Sequence, residues 1–268
     1  MNRFRIGVGL LTALVTAGAA PGLEGGGAAS AKNQQTVEGV ITRVTEIMAK
    51  HKSLSYLSEL KFDYQFPQYS SKGETRTQCE YVKRGLSVIF RQDTTTTQST
   101  KTAGTDSKMT IKSLVVGDGE FVYSLSDTND QKTAVKQRYN PTIVFNPFDQ
   151  RAAYEQSKQQ FDYRLLPDET VGGKPCWVFE LKPKDPVSAA QMIRTLMYIE
   201  QESGVAVKNV SFDKDNKQTG LMTTTHIQFD AAVPDDHFVF KAPAGVTVQD
   251  LSRIGQPDAA SPQTGGQP

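Results

Sequence analysis

Residues 61–66 read KFDYQF, and the alternation is strict. Phe62, Tyr64 and Phe66 point to one side of an extended chain, while Lys61, Asp63 and Gln65 point to the other. A period of two with one apolar side predicts a half-buried strand. The same period recurs along most of the chain. Between Glu74 and Arg91, Cys79 and Tyr81 share a side, Gly85 permits a bend, and Leu86, Val88 and Phe90 continue the pattern. Met109 to Val116 leads into the tight turn Gly117-Asp118-Gly119, and Phe121, Tyr123 and Leu125 alternate away from it, which predicts a hairpin. Thr133, Val135, Gln137 and Tyr139 form a further strand pattern. Phe161, Tyr163 and Leu165 form another, and Gly172-Gly173 turns the chain into Trp177, Phe179 and Leu181. From Met192 to Asp250 three more strand patterns follow in succession, separated by turns at Glu202-Ser203-Gly204 and around Asn216 and closed by a short apolar terminus.

Two stretches break the period of two. Val37, Val40, Ile41, Val44, Ile47 and Met48 recur at helical spacing, opposite Glu38, Thr42, Arg43, Glu46 and Lys50. They predict an amphipathic helix, with Thr36 as its cap and Glu38 in its first turn. Asn146-Pro147 is a second helix start, and a weakly amphipathic, Gln-rich helix is expected through Gln160. A helical turn fits Ser188 to Gln191. Residues 92–108, QDTTTTQSTKTAGTDSK, are polar and Thr-rich and predict a long exposed loop or hairpin tip.

The pattern therefore predicts an α+β fold of about nine or ten strands, mostly joined by hairpins. The helices are too few to flank a parallel sheet. A strongly curved antiparallel sheet, an unclosed β-barrel covered by one or two helices, buries one face most economically.

The ends change the picture. Arg3 and Arg5 precede an apolar run from Ile6 to Val15, and Ala17-Gly18-Ala19 and Ala29-Ser30-Ala31 offer small-residue cleavage sites. Residues 1–31 are thus expected to be a signal peptide and leader, residues 36–251 one domain, and residues 252–268 a disordered Pro-, Gly- and Gln-rich tail. No other apolar run is long enough to span a membrane, so the protein is expected to be periplasmic or secreted and not membrane-spanning once cleaved. The net charge of +1 becomes -1 without Arg3 and Arg5 and 0 if Glu24 also leaves. The basic residues are scattered, which argues against a nucleic-acid partner.

In an exported chain Cys79 and Cys176 are a disulfide candidate. Closing so long a loop would contribute about 4 to 5 kcal/mol before strain. The alternative is two buried, unpaired thiols packed as small hydrophobes.

No reaction centre is legible. His51, His226 and His237 are scattered, with no H-E-x-x-H and no Cys cluster, so neither a metal nor a cofactor is expected. Asp235-Asp236 follows Pro234 in a turn, where aspartate serves local hydrogen bonding. There is no G-x-S-x-G and no phosphate-binding loop. The chain is expected not to be an enzyme.

Three stretches carry a resemblance. MYIEQESGVAVKNVSFDKDNKQTG, from Met197 to Gly220, gives a strand, the acidic turn Glu202-Ser203-Gly204, a strand and a second polar turn. Val233-Pro234-Asp235-Asp236-His237-Phe238-Val239-Phe240, followed by Ala242-Pro243-Ala244-Gly245-Val246, gives a Pro-acid, Phe-x-Phe, Pro-x-Gly-Val close. Val116 to Tyr123 gives an Asp-Gly turn before an aromatic strand. Together they resemble the LolA/LolB-like superfamily of periplasmic lipoprotein carriers and outer-membrane lipoprotein-sorting proteins. The Thr-rich segment 92–108 and the Gln-rich region 146–160 depart from a minimal carrier.

The resemblance implies an unclosed barrel with an apolar interior that shelters acyl chains, and hence a lipid or an acylated protein as partner. The residues expected to line that interior are Phe62, Tyr64, Phe66, Val88, Phe90, Phe121, Tyr123, Trp177, Phe179, Tyr198 and Phe229. A second expectation uses the same fold differently, as an envelope sensor or scaffold that binds another protein. A filled interior with an apolar patch outside would favour it.

Overall fold

A computed structural model describes residues 35–252, apart from Pro67 and Leu86. The expected signal peptide and all but the first residue of the expected tail lie outside the described residues.

The alternating segments form one sheet of twelve strands. The first half is a meander of β1 (Ser53–Gln65), β2 (Tyr69–Arg84), β3 (Ser87–Thr102), β4 (Thr105–Gly117), β5 (Phe121–Thr128) and β6 (Gln131–Arg138). The second is a meander of β7 (Phe161–Val171), β8 (Lys174–Pro183), β9 (Arg194–Glu200), β10 (Ala206–Phe212) and β11 (Gln218–Phe229), with the short β12 (Val248–Asp250) at the end. The order across the sheet is β12-β6-β5-β4-β3-β2-β1-β11-β10-β9-β8-β7. The two meanders join where β1 pairs antiparallel with β11, Leu54 opposite Phe229. All neighbours are antiparallel except β12, which runs parallel to β6. The sheet is not closed into a barrel, and few helices accompany it, as the period-two pattern required.

Helix α1 (Val37–Ala49) buries Val40, Ile41, Val44 and Met48 against one face of the sheet, here the helix face. The Thr36 hydroxyl caps it by accepting from the Gly39 N–H at 3.1 Å. Beneath it lie Leu54, Tyr81, Val88, Phe90, Trp177, Phe179 and Ile199. Trp177, Tyr81, Phe179 and Met48 are almost fully buried, so this part of the interior is filled with side chains.

The second helix, α2 (Gln150–Ser157), is shorter than expected and starts later. Asp149, not Asn146, caps it through the Ala152 N–H at 3.0 Å. Asn146 instead accepts from the Phe148 N–H two residues on, a local turn that competes with helix. A third short helix, α3 (Pro186–Gln191), starts at the Asp185 cap, with Pro186 in its first turn.

The Thr-rich segment is the clearest correction. Residues 92–102 continue β3, and only Ala103 and Gly104 make the tip before β4. Threonine is β-branched and suits a strand. Its hydroxyls are satisfied across the strands: Thr75 faces Thr96 at 3.0 Å, and Thr77 faces Thr94 at 3.1 Å.

The two long connections cross the sheet on opposite faces. Residues 139–160 run over the helix face, where Phe148 joins the core and Phe145 meets Tyr81 edge-on. After β11 the chain crosses the outer face instead. Ser53 Oγ donates to the Ala231 carbonyl, Arg84 pairs with Asp235, His237 meets Glu80, and Phe238 is buried in the 3-10 turn Asp235–Phe238. Phe240 stacks on Tyr123 at 5.1 Å before β12 reaches β6. The apolar terminus expected to close the last meander is thus a strap that ends at the far edge of the sheet.

Candidate functional site

The core under α1 extends along β1 as far as Tyr56 and along β2 as far as Cys79. Beyond that point the helix face continues without a helix on it. Strand alternation places Leu60, Phe62 and Tyr64 there from β1, with Phe66 directly after it. Phe62 stacks on Tyr64 at 5.4 Å, Tyr64 lies 6.4 Å from Phe66, and Phe66 stacks on Tyr69 at 4.5 Å. All four rings are partly exposed, Tyr69 most at 43%. Burial pushes the Tyr64 phenol above its ordinary value, so the ring is partly withdrawn from water. Beside this aromatic rail, Thr75, Thr77, Thr94 and Thr96 with Ile111 form a floor of small and β-branched side chains.

The floor is held close. Phe62 pairs with Gly73 and its ring lies over that glycine. Phe90 covers Gly117 in the same way nearer to α1. Both glycines leave room for a ring where any side chain would collide.

The structure separates the residues expected to line one interior. Val88, Phe90, Trp177 and Phe179 lie in the filled core under α1. Phe229 packs at its margin, stacked on His51 at 3.9 Å. Phe62, Tyr64 and Phe66 stand on the uncovered part of the helix face. Phe121 and Tyr123 alternate with the buried Val122 and so face outward, Tyr123 beneath Phe240 and Phe121 beneath Lys136 at 3.7 Å. Tyr198 also faces outward, in a second cluster with Cys176, Val178 and Val210. That cluster is edged by the partly buried Leu166, Leu196, Phe212 and Leu221, with Arg194 over Phe212 at 4.4 Å and Lys208 over Tyr198 at 4.7 Å. Tyr69 was missed as a member of the rail; it lies beyond the turn, outside the strict alternation.

Cys79 and Cys176 are both free. The disulfide expectation fails on geometry: Cys79 belongs to the core under α1, whereas Cys176 alternates with Trp177 and belongs to the outer cluster. The sheet stands between them. Burial pushes the Cys79 thiol up to about 11 and raises that of Cys176, so neither is an activated nucleophile.

The three histidines have structural partners. His51 Nδ1 meets Asp230 Oδ2 at 2.8 Å, and Asp230 also accepts from the Lys52 N–H at 2.6 Å. Those contacts, His51 first, hold the Asp230 carboxyl below the usual range. His237 meets Glu80 under the strap, and His226 sits at a β-bulge in β11 with φ of 53°. Among the described residues no group of three His, Cys, Asp or Glu side chains is placed to hold a metal, and no helix is long and apolar enough to cross a membrane.

Two surface depressions accompany these features. One, of about 360 Å³, lies under the strap between Arg91, Leu114, His237 and Lys241. The other, of about 390 Å³, lies between Val37, Tyr154, Lys158, Tyr163 and Lys184. Both open to solvent.

A family model described only as an uncharacterized protein matches residues 152–234. An uncharacterized protein of Methanocaldococcus jannaschii is 26% identical over 132 residues, which is 49% of this chain and 36% of that protein; the match spans about a third of the relative's length. Among solved structures, the Pseudomonas aeruginosa MucA/MucB complex is similar with a TM-score of 0.33 at 14% identity, over 75% of this chain and 60% of that one. A Vibrio parahaemolyticus domain described as an outer-membrane lipoprotein-sorting protein is similar with a TM-score of 0.34 at 11% identity, over 76% and 97%.

Proposed function

We propose that this chain is an exported, non-enzymatic binding protein whose ligand is a lipid or an acylated molecule lying along the uncovered part of the helix face. One observation carries the reading. Phe62, Tyr64, Phe66 and Tyr69 form a row of adjoining, partly exposed rings that continues the core beyond the reach of α1. Apolar rings left half in water gain from being covered, at about 25 cal/mol per Å² removed from solvent. Beside them Thr77, Thr94 and Thr96 are buried, and the hydroxyls of the Thr75–Thr96 and Thr77–Thr94 pairs satisfy each other, so these pairs leave no unmet hydroxyl next to a hydrocarbon chain. Binding here needs shape and desolvation, not a charged residue or a reacting group. Displacement of a fluorescent fatty acid, together with native mass spectrometry after gentle purification, tests the reading. A saturable displacement supports it. Protein that carries no lipid mass and displaces nothing overturns it.

A second reading has its own observation. The interior under α1 is filled, and the outer face carries a second apolar cluster, with Tyr198 and Val210 buried at its centre and the partly buried Leu196, Phe212 and Leu221 at its edge. A protein partner suits that arrangement, in a sensor or scaffold role. Co-purification of a stoichiometric protein with no lipid mass would favour this reading over the first.

A further inference from the structure

The sheet ends at β7, and among the described residues no strand pairs with its free side. The second half of this edge is protected: Pro167 removes a donor, and the register shifts between Leu166 and Glu169. The first half, Phe161 to Leu166, has neither device. Its pairing with β8 is continuous, Phe161 opposite Pro183 through Leu166 opposite Val178. The phase of the hydrogen bonds follows from the Lys184 N–H, which donates to the Gln160 carbonyl at 2.8 Å. Alternation then turns the backbone groups of Asp162, Arg164 and Leu166 toward β8. Those of Phe161, Tyr163 and Leu165 point away from the sheet, unpaired.

We infer that this half of β7 is a self-complementary edge that pairs antiparallel with the same strand of a second copy of the chain, Tyr163 opposite Tyr163. The register follows from charge. With the two-fold at Tyr163, the outward backbone groups of Phe161 meet those of Leu165 in the second copy, and the two Tyr163 residues bond to each other. Asp162 then faces Arg164 of the second copy, twice. Within one copy Asp162 sits opposite Lys182 and Arg164 opposite Glu180, with Arg164 Nη2 and Glu180 Oε2 2.9 Å apart. The joined outer face therefore reads Glu180, Arg164, then Asp162 and Lys182 of the second copy, alternating in sign. Moving the two-fold to Asp162 sets two aspartates opposite each other, and moving it to Arg164 sets two arginines opposite each other; both are unfavourable. On the helix face the same register packs Phe161 against Leu165, both already part of the core or its margin. Asp162 and Arg164 are exposed; Asp162 lies 3.4 Å from Lys184 and Arg164 2.9 Å from Glu180, so the new pairs extend these surface ion pairs into a network across the joined edge.

The paired stretch is short, so the dimer dissociates on dilution. Sedimentation velocity on the full chain across a rising concentration series tests it, with thermal melts confirming that each variant is folded. The wild type is expected to shift toward dimer as concentration rises. Asp162→Lys and Arg164→Glu each place like charges at both contacts and are expected to remain monomeric. Mixing the two variants in equal amounts restores opposite charges at both contacts and is expected to bring the dimer back. A wild type that stays monomeric at high micromolar concentration overturns the inference. So does either variant dimerising like the wild type, or a mixture that stays monomeric. Fatty-acid displacement is expected to be unchanged in both variants, which separates this result from the fate of the proposed ligand site.

Discussion

Phe62 and Gly73 face each other across β1 and β2, and the ring of one occupies the space of the other's missing side chain. A Cβ on Gly73 would stand 2.8 Å from Phe62 Cζ and would also collide with the Thr97 carbonyl of the next strand. The second collision involves backbone and is not relieved by a rotamer change. Gly73→Ala is expected to destabilise the protein by about 1 to 3 kcal/mol, the usual range for overpacking. Thermal or denaturant unfolding reads the loss. Adding Phe62→Ala to the same chain should recover only part of it, because the Thr97 carbonyl remains in the way.

The aromatic rail and the filled core respond differently to substitution. Tyr64→Asp puts a charge in the half-buried row between Phe62 and Phe66, outside the core under α1. The melting temperature is expected to change little, and fatty-acid affinity to fall by about tenfold or more, equivalent to about 1.4 kcal/mol. Trp177→Ala opens a cavity beneath α1 and is expected to cost about 3 to 5 kcal/mol of stability. If Tyr64→Asp binds the fluorescent fatty acid as the wild type does, the rail is not the binding surface.

The two thiols are separated by the sheet, and burial raises both above their ordinary values. Thiol titration of the native protein at neutral pH is expected to find neither reactive, and titration after denaturation to find both. Reducing agent should leave the melting temperature unchanged. A reductant-sensitive melt would contradict the free pair.

Asp230 closes β11 onto the start of β1, through His51 Nδ1 and the Lys52 and Ser53 N–H groups. Its carboxyl is held below the ordinary 3.8, with the His51 contact as the largest cause. A depressed acid contributes stability that is fully present above the ordinary value and is lost as pH falls through the folded one. Asp230→Asn is therefore expected to be less stable near neutrality, by about 1 kcal/mol given the exposed carboxylate. That gap should narrow as pH drops below 3.8. Denaturant midpoints for both proteins across the acid range check it; a constant gap would mean that the carboxylate charge contributes nothing.

Much of the fold was legible because period decides so much locally. The stripe from Val37 to Met48 is buried where helical spacing placed it, and the alternation around Phe62, Phe121 and Trp177 marks real strands. What alternation withholds is which face of each strand meets the helix. Tyr123 and Phe90 both alternate cleanly, yet they lie on opposite faces because the Gly117-Asp118-Gly119 hairpin sets their register. Cys79 and Cys176 were open to pairing for the same reason. The Thr-rich stretch was misread in the other direction: composition marked it polar, while the β-branched side chains paired their hydroxyls with one another and stayed in the sheet. Asn146 looked like a helix start, but its carbonyl bonds locally and the cap falls to Asp149. The parallel β12 left no periodic signal in three residues.

The seam between β1 and β11 sets how the chain folds. Each meander is a series of hairpins between near neighbours, whereas Leu54 and Phe229 are 175 positions apart (229 - 54) and meet only at the seam. The entropy of closing that span must be met before its ladder contributes anything. The meanders are expected to form early and the seam late, with the strap and β12 fastening only afterwards. In a hydrogen-exchange pulse during refolding, the amides of β3 to β5 should gain protection ahead of those in β1 that face β11. Simultaneous protection of both would mean that the sheet forms as one cooperative nucleus.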